Sequence, residues 1–154
     1  MDGLTIRYAN MGDYMEVEKI MHQVQELHVN WRPDIYKNND VILPYDMFQD
    51  ALRDNTFIVA EMEGKVVGLL FYMIKHIESG LHVTRDVLFV DSMAVDEMYR
   101  GRGIGHRLFD FIKDMKQRKN LDGIELQVNA RNKSAMEMYQ KYGFTEKSIN
   151  MELL

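Results

Sequence analysis

The feature that most constrains this 154-residue chain is a short loop, Arg100-Gly101-Arg102-Gly103-Ile104-Gly105, set between an apolar stretch and an amphipathic one. Upstream, Val87 to Val95 is β-rich and largely apolar, as a strand buried on both faces is. Downstream, Ile104, Leu108, Phe111, Ile112 and Met115 fall on one face of a helix reaching about Arg118. A turn of this kind aims successive backbone N–H groups outward at the positive end of a helix dipole. A pyrophosphate is the natural ligand of such a place. Gly101, Gly103 and Gly105 remove side chains that would hold a phosphate away, and they permit positive φ. Arg100, Arg102, His106 and Arg107 add charge, and arginine grips phosphate in a bidentate fork. The competing reading of the same residues is a plain glycine turn.

Two common phosphate motifs do not fit. The P-loop needs Gly-Lys-Ser/Thr, which is absent here. The dinucleotide fingerprint needs Gly-x-Gly-x-x-Gly early in a doubly wound sheet, whereas this loop has a different spacing and lies late in the chain.

The remaining pattern places the loop in a mixed α/β (α+β) domain. Leu4 to Tyr8 alternates as a strand, and Asp13 can cap a helix to about His28 whose buried face is Val17, Ile20, Met21, Val24 and Leu27. A polar loop from Asn30 to Val41 precedes a short helix after Pro44. Phe57 to Met62 and Val66 to Ile74 form a hairpin about Glu63-Gly64-Lys65. After the glycine-loop helix come a strand over Ile124 to Val128, a helix from Ser134 to Tyr142 stopped by Gly143, a strand beginning at Phe144, and a last one over Ile149 to Leu153. Helices packed on a mixed sheet, with crossovers in the second half, are the expected architecture. Residues 1–154 read as a single domain.

Composition narrows the function classes. A net charge of −5 argues against nucleic acid as the partner. With no cysteine, disulfides, thiolate nucleophiles and cysteine metal sites are excluded. His22, His28, His76, His82 and His106 show no metal-ligand spacing, so no metal is expected. No apolar run is long enough to span a bilayer, and Met1 to Leu4 do not begin a signal peptide. A cytoplasmic protein without membrane partners is the expectation.

Arg100-x-x-Gly103-x-Gly105 after an apolar strand resembles the Arg/Gln-x-x-Gly-x-Gly/Ala signature of the GNAT (GCN5-related) N-acetyltransferase superfamily. A second segment strengthens the resemblance. Asn129-Ala130-Arg131-Asn132-Lys133-Ser134-Ala135, followed by Tyr139-Gln140-Lys141-Tyr142-Gly143-Phe144, is similar to that family's other signature. The match is strong over Val87 to Phe144. In the first half only the order of elements corresponds.

The resemblance implies a twisted, mostly antiparallel mixed sheet of six to seven strands flanked by about four helices, with the fourth and fifth strands splayed apart. Acetyl-CoA would enter the gap as co-substrate. The backbone of Met93, Ala94 and Val95 would pair with its pantetheine arm. The loop Arg100, Gly101, Arg102, Gly103, Ile104, Gly105 and His106 would hold its pyrophosphate, and Asn132 would contact it. Tyr139 would be the general acid, a protonated phenol able to donate to the leaving sulfur. The N–H of Val95 would stabilise the oxyanion. Asp91, a carboxylate in an otherwise apolar strand, is the candidate base facing the acceptor amine; the alternatives are a water chain as base and plain solvent exposure of that strand face. By strand alternation Ser92 is expected on the opposite face from Asp91.

For the acceptor, the loop Asn30 to Asp40 and the hairpin loop His76 to Val83 are the expected region; His28, Trp31, Arg32 and Tyr36 are pocket candidates there, with Arg32 suited to a substrate carboxylate, and the competing, favoured reading has Trp31 and Tyr36 covering the core edge and Arg32 solvated. The expected activity is acetyl transfer to a primary amine of a small molecule or protein. A non-catalytic CoA-binding sensor or interaction module is the alternative. The apolar segment from Ile149 to Leu154 suits pairing at a sheet edge, which would make a homodimer.

Overall fold

In the computed structural model, which describes residues 3–154, the elements are β1 (Leu4–Tyr8), α1 (Tyr14–Trp31), α2 (Tyr45–Arg53), β2 (Phe57–Met62), β3 (Lys65–Ser79), β4 (His82–Val95), α3 (Ile104–Arg118), β5 (Gly123–Leu126) and α4 (Lys133–Tyr142). The strands form one sheet in the order β1-β2-β3-β4-β5. Every neighbouring pair is antiparallel except β4 with β5.

Alternation along β2 explains the layers. Ile58 and Ala60, with Val67, Leu70 and Leu88, pack against Leu108, Phe109 and Ile112 of α3. Phe57 and Val59 face the other way, onto Val17 and Ile20 of α1 and onto Phe48 and Ala51 of α2. The sheet is therefore buried on both faces, which is why its central strands read as near-continuous apolar runs. At Gly68 a Cβ would lie 3.2 Å from Ile104 Cγ2 and 3.3 Å from the Ala94 carbonyl oxygen. The missing side chain lets the start of α3 sit directly on the sheet, and this fixes where the glycine loop lies.

The sheet has five strands among the described residues, fewer than the expected six to seven. The strands expected from Phe144 and over 149–153 are not formed. Phe144 instead packs on Phe109, Tyr139 and Tyr142. Residues 145–154 make no backbone–backbone hydrogen bond among the described residues. Alternating apolar residues supply a strand face, but a strand exists only where a neighbour offers N–H and C=O groups. The β3–β4 hairpin is longer than expected at its tip. Its polar residues read as loop, yet the ladder continues through His76↔Asp86 and Ile77↔Arg85, outside the core.

Candidate active site

β4 and β5 pair only from Val87↔Gly123 to Val90↔Leu126. Beyond that point β4 continues to Val95 while β5 has ended, so the two strands part. Met93, Ala94 and Val95 pair with Leu70, Leu69 and Gly68 of β3 on one side. Their other edge has no strand beside it among the described residues. An open strand edge is what an extended amide-containing chain needs to add as a further strand.

The gap is a cleft of about 240 Å³. β4 lines it through Asp91, Ser92 and Met93, the segment after β5 through Gln127 to Asn129, and α4 through Asn132 and Tyr139. Met21, Val24, Gln25 and His28 of α1 close the far side with Tyr36 and Ile42.

The alternation expected for Asp91 and Ser92 is overturned. The register of β3 with β4 passes from Phe71↔Ser92 to Tyr72↔Val90, which leaves Asp91 as the extra residue of a β-bulge. A bulge re-aims side chains locally. Both residues now face the cleft, and the Ser92 hydroxyl donates to Asp91 Oδ2 at 3.1 Å. The bulge also leaves Asp91 exposed, so its carboxylate does not bear a core burial cost.

Tyr139 is held by packing. Its ring meets Phe109 edge-on at 5.7 Å and Phe144 at 5.9 Å. Its hydroxyl has no hydrogen-bond partner among the described residues, so the polar end is available in the cleft while the ring is fixed. Burial pushes its pKa above the ordinary phenol value. Asn132 has a second function that the motif alone does not reveal. Its Oδ1 accepts the Ala135 N–H at 3.2 Å, capping α4, which leaves the Nδ2 amide as its donor for a ligand.

The glycine loop leads from the end of β4 into α3. Gly101 and Gly103 have φ of 77° and 82°, and nothing lies within 4 Å of a Cβ built at either. No side chain caps α3. The N–H groups of Gly103 to His106 have no acceptor among the described residues. They are orphan donors of a helix start, suited to an anion. A Cβ at Gly105 would lie 3.0 Å from Met138 Cε and 3.6 Å from Met93 Cε, the ends of two flexible side chains. Arg100 Nε donates to the Val95 carbonyl at 3.0 Å, tying the loop to the end of β4. Arg102 stacks over Tyr99 at 5.0 Å, and His106 meets Tyr142 edge-on at 5.4 Å.

The acceptor-side residues separate into two groups. Tyr36 and His28 line the cleft, their rings 4.9 Å apart. Trp31 packs on His28 but does not line it. Arg32 also lies outside the lining. Asp34 holds it at 2.9 Å and 2.7 Å, and Glu152 at 2.7 Å. The hairpin 76–83 contributes nothing to the lining. Gln25, Ile42 and Gln127 were not anticipated, because nothing in their local sequence distinguishes them from ordinary helix-face or loop residues. Among the described residues no group of three or more His, Asp or Glu is arranged to hold a metal, and no helix is long and apolar enough to cross a membrane.

A splayed parallel strand pair, a helix start with unpaired N–H groups and a phenol facing the gap thus lie together. The acetyltransferase (GNAT) family model matches residues 21–144. The chain is 35% identical over 115 residues to an N-alpha-acetyltransferase of Sulfurisphaera tokodaii, a match covering 69% of this chain and 67% of that protein. It is 31% identical over 150 residues to the L-amino acid N-acetyltransferase AaaT of Escherichia coli, covering 94% of this chain and 84% of that one. A solved mutant of the BH1408 protein from Bacillus halodurans superposes with a TM-score of 0.90 at 30% identity, over 97% of this chain and 98% of that chain. The chain belongs to the GNAT family of acetyltransferases.

Proposed function

We propose that residues 1–154 form one N-acetyltransferase domain that moves an acetyl group from acetyl-CoA to a primary amine by direct attack in a ternary complex. The observation that carries this reading is the parting of β4 and β5 after Val90 and Leu126, with Asp91 and Tyr139 both facing the gap. Acetyl-CoA supplies an activated thioester. The cradle from Arg100 to His106 would hold its pyrophosphate on orphan N–H groups, and the open edge of Met93 to Val95 would hold its amide-bearing arm. The amine nitrogen bonds to the acetyl carbon as the carbon–sulfur bond breaks. The proton leaving nitrogen passes to Asp91, directly or through water. Tyr139 delivers its phenolic proton to the departing sulfur, and the Val95 N–H donates to the oxygen as negative charge gathers there. The relatives' names, an N-alpha-acetyltransferase and an L-amino acid N-acetyltransferase, fit an amine acceptor here. We place the protein in the cytoplasm.

The test is release of free thiol from acetyl-CoA in the presence of an amine panel. Turnover supports the enzyme; tight acetyl-CoA binding with no turnover on any amine leaves the non-catalytic CoA-binding module. A separate prediction concerns the cradle. A branched side chain at Gly103 would face about 1–2 kcal/mol of left-handed strain and would re-aim the N–H groups as the backbone relaxed. Gly103→Val is expected to weaken acetyl-CoA binding about tenfold or more by calorimetry. Unchanged affinity would place the pyrophosphate elsewhere.

We also propose a homodimer built by exchange of the C-terminal segments. β5 is an edge strand among the described residues. The same chain carries Ile149, Met151, Leu153 and Leu154, exposed at 74%, 86%, 100% and 96%, on an unpaired backbone. Within one chain the segment is held by side chains, Lys147 on Glu125 of β5 and Glu152 on Arg32, while its backbone and the outer edge of β5 have no strand partner among the described residues, which a second copy would supply reciprocally. Sedimentation should show a dimer that becomes monomeric when residues 148–154 are removed. A monomeric full-length chain would rule the exchange out.

A further inference from the structure

The cleft's charge pattern points to the kind of amine it receives, an inference that rests on the acetyltransferase reading above. Among the described residues that line it, Asp91 is the single carboxylate, and there is no lysine or arginine. The wall opposite β4 is Met21, Val24, Gln25, His28, Tyr36 and Ile42, mostly apolar or aromatic. His28 is committed to that wall: its Nδ1 lies 2.9 Å from the Val24 carbonyl, which accepts from it, and its ring packs against Trp31 and Tyr36.

The arginines of the adjoining loops are already engaged. Asp34 and Glu152 hold the Arg32 guanidinium from both sides. Arg131 donates through Nη1 to the Trp31 carbonyl at 2.8 Å, joining the β5–α4 loop to the end of α1. Among the described residues that line the cleft no lysine or arginine would meet a carboxylate beside the reacting amine, and burying it unpaired is costly. A polycation is disfavoured for the complementary reason. One carboxylate serves one ammonium group, and further ammonium groups would be desolvated against the wall.

We infer that the acceptor is a monoamine with an apolar flank and no free carboxylate next to the amine. This chemistry has two sources, a small alkyl or arylalkyl amine and a peptide N-terminus beginning with an apolar residue. It excludes free amino acids and polyamines as preferred acceptors, and with them the carboxylate-binding role expected for Arg32.

The experiment measures kcat/KM, per neutral amine, of the full chain with acetyl-CoA and five acceptors: phenylalaninamide, phenylethylamine, a short peptide beginning with Phe, free phenylalanine, and spermidine. Phenylalaninamide should exceed both phenylalanine and spermidine by about tenfold or more. The peptide and phenylethylamine arms identify the source. Phenylalanine equal to its amide, or spermidine as the best acceptor, overturns the inference while leaving acetyl transfer intact. Failure of acetyl-CoA to bind by calorimetry, with no thiol released from any acceptor, would instead remove the acetyltransferase reading itself. A variant supplies an independent check. Gln25→Glu gives up the amide's 2.8 Å hydrogen bond to the Lys37 carbonyl, puts a second carboxylate on the wall and should raise the spermidine-to-phenylalaninamide ratio severalfold. An unchanged ratio places this wall away from the acceptor and also overturns the inference.

Discussion

Tyr139→Phe is expected to lower kcat by about a hundred- to a thousandfold, within the range of general acid catalysis, with acetyl-CoA binding nearly unchanged. The substitution is a clean one in this structure. The ring keeps its contacts with Phe109 and Phe144, and the lost hydroxyl had no protein partner to leave unsatisfied. The pH dependence gives a second readout. Burial raises the phenol's pKa, so the acid form is maintained to higher pH than an exposed tyrosine would allow. Activity that requires the protonated phenol is present below that raised pKa and is lost as pH rises through it. The variant should lose that alkaline fall together with most of its rate. Intact turnover with an unaltered alkaline limb would show that another group protonates the sulfur.

Phe109→Ala should cost about 3–5 kcal/mol of stability, the usual range for deleting a fully buried aromatic side chain. Phe109 is 1% exposed and forms the centre of the cluster joining α3 to α4, with Tyr139, Tyr142 and Phe144 around it at 5.1–5.7 Å. Denaturant unfolding should therefore show the loss, and a thermal scan a fall in Tm on the order of 10 °C. Phe109→Leu, which retains most of the volume, should lose much less. If the alanine variant unfolds within about 1 kcal/mol of the parent, α4 is not held by this cluster. The two variants are linked, because the residue that stabilises α4 also orients the phenol.

The elements that carry the cofactor motifs were legible because their signals are local. Gly103 needs left-handed backbone, the stripe from Ile104 to Met115 has helical period, and Gly143 ends α4. Each of these is written within a few residues. The edges of the strands were less legible. The tip of the β3–β4 hairpin is polar and reads as loop, yet its ladder continues because the partner strand is already aligned. The last two expected strands failed for the opposite reason, since alternation over 149–153 cannot supply a neighbour.

The site divides along the same line. Asp91 and Tyr139 could be singled out from sequence, as a carboxylate in an apolar strand and as a tyrosine in a motif. That Ser92 joins Asp91 in the cleft depends on a bulge defined by register with β3, a partner some twenty residues away. That Arg32 is already paired depends on Glu152, far along the chain.

By itself, the sequence determined the identity of the local machinery: a glycine cradle before a helix, an apolar strand ending beside it, and a capped helix bearing a phenol. Backbone conformation and helical or strand period are properties of short segments, so they survive in one dimension. Only the tertiary structure decided where β4 and β5 part, which side chains face the gap, and which charges remain free to meet a substrate. Those outcomes depend on register and on ion pairing between distant residues, and neither is specified until the chain has closed on itself.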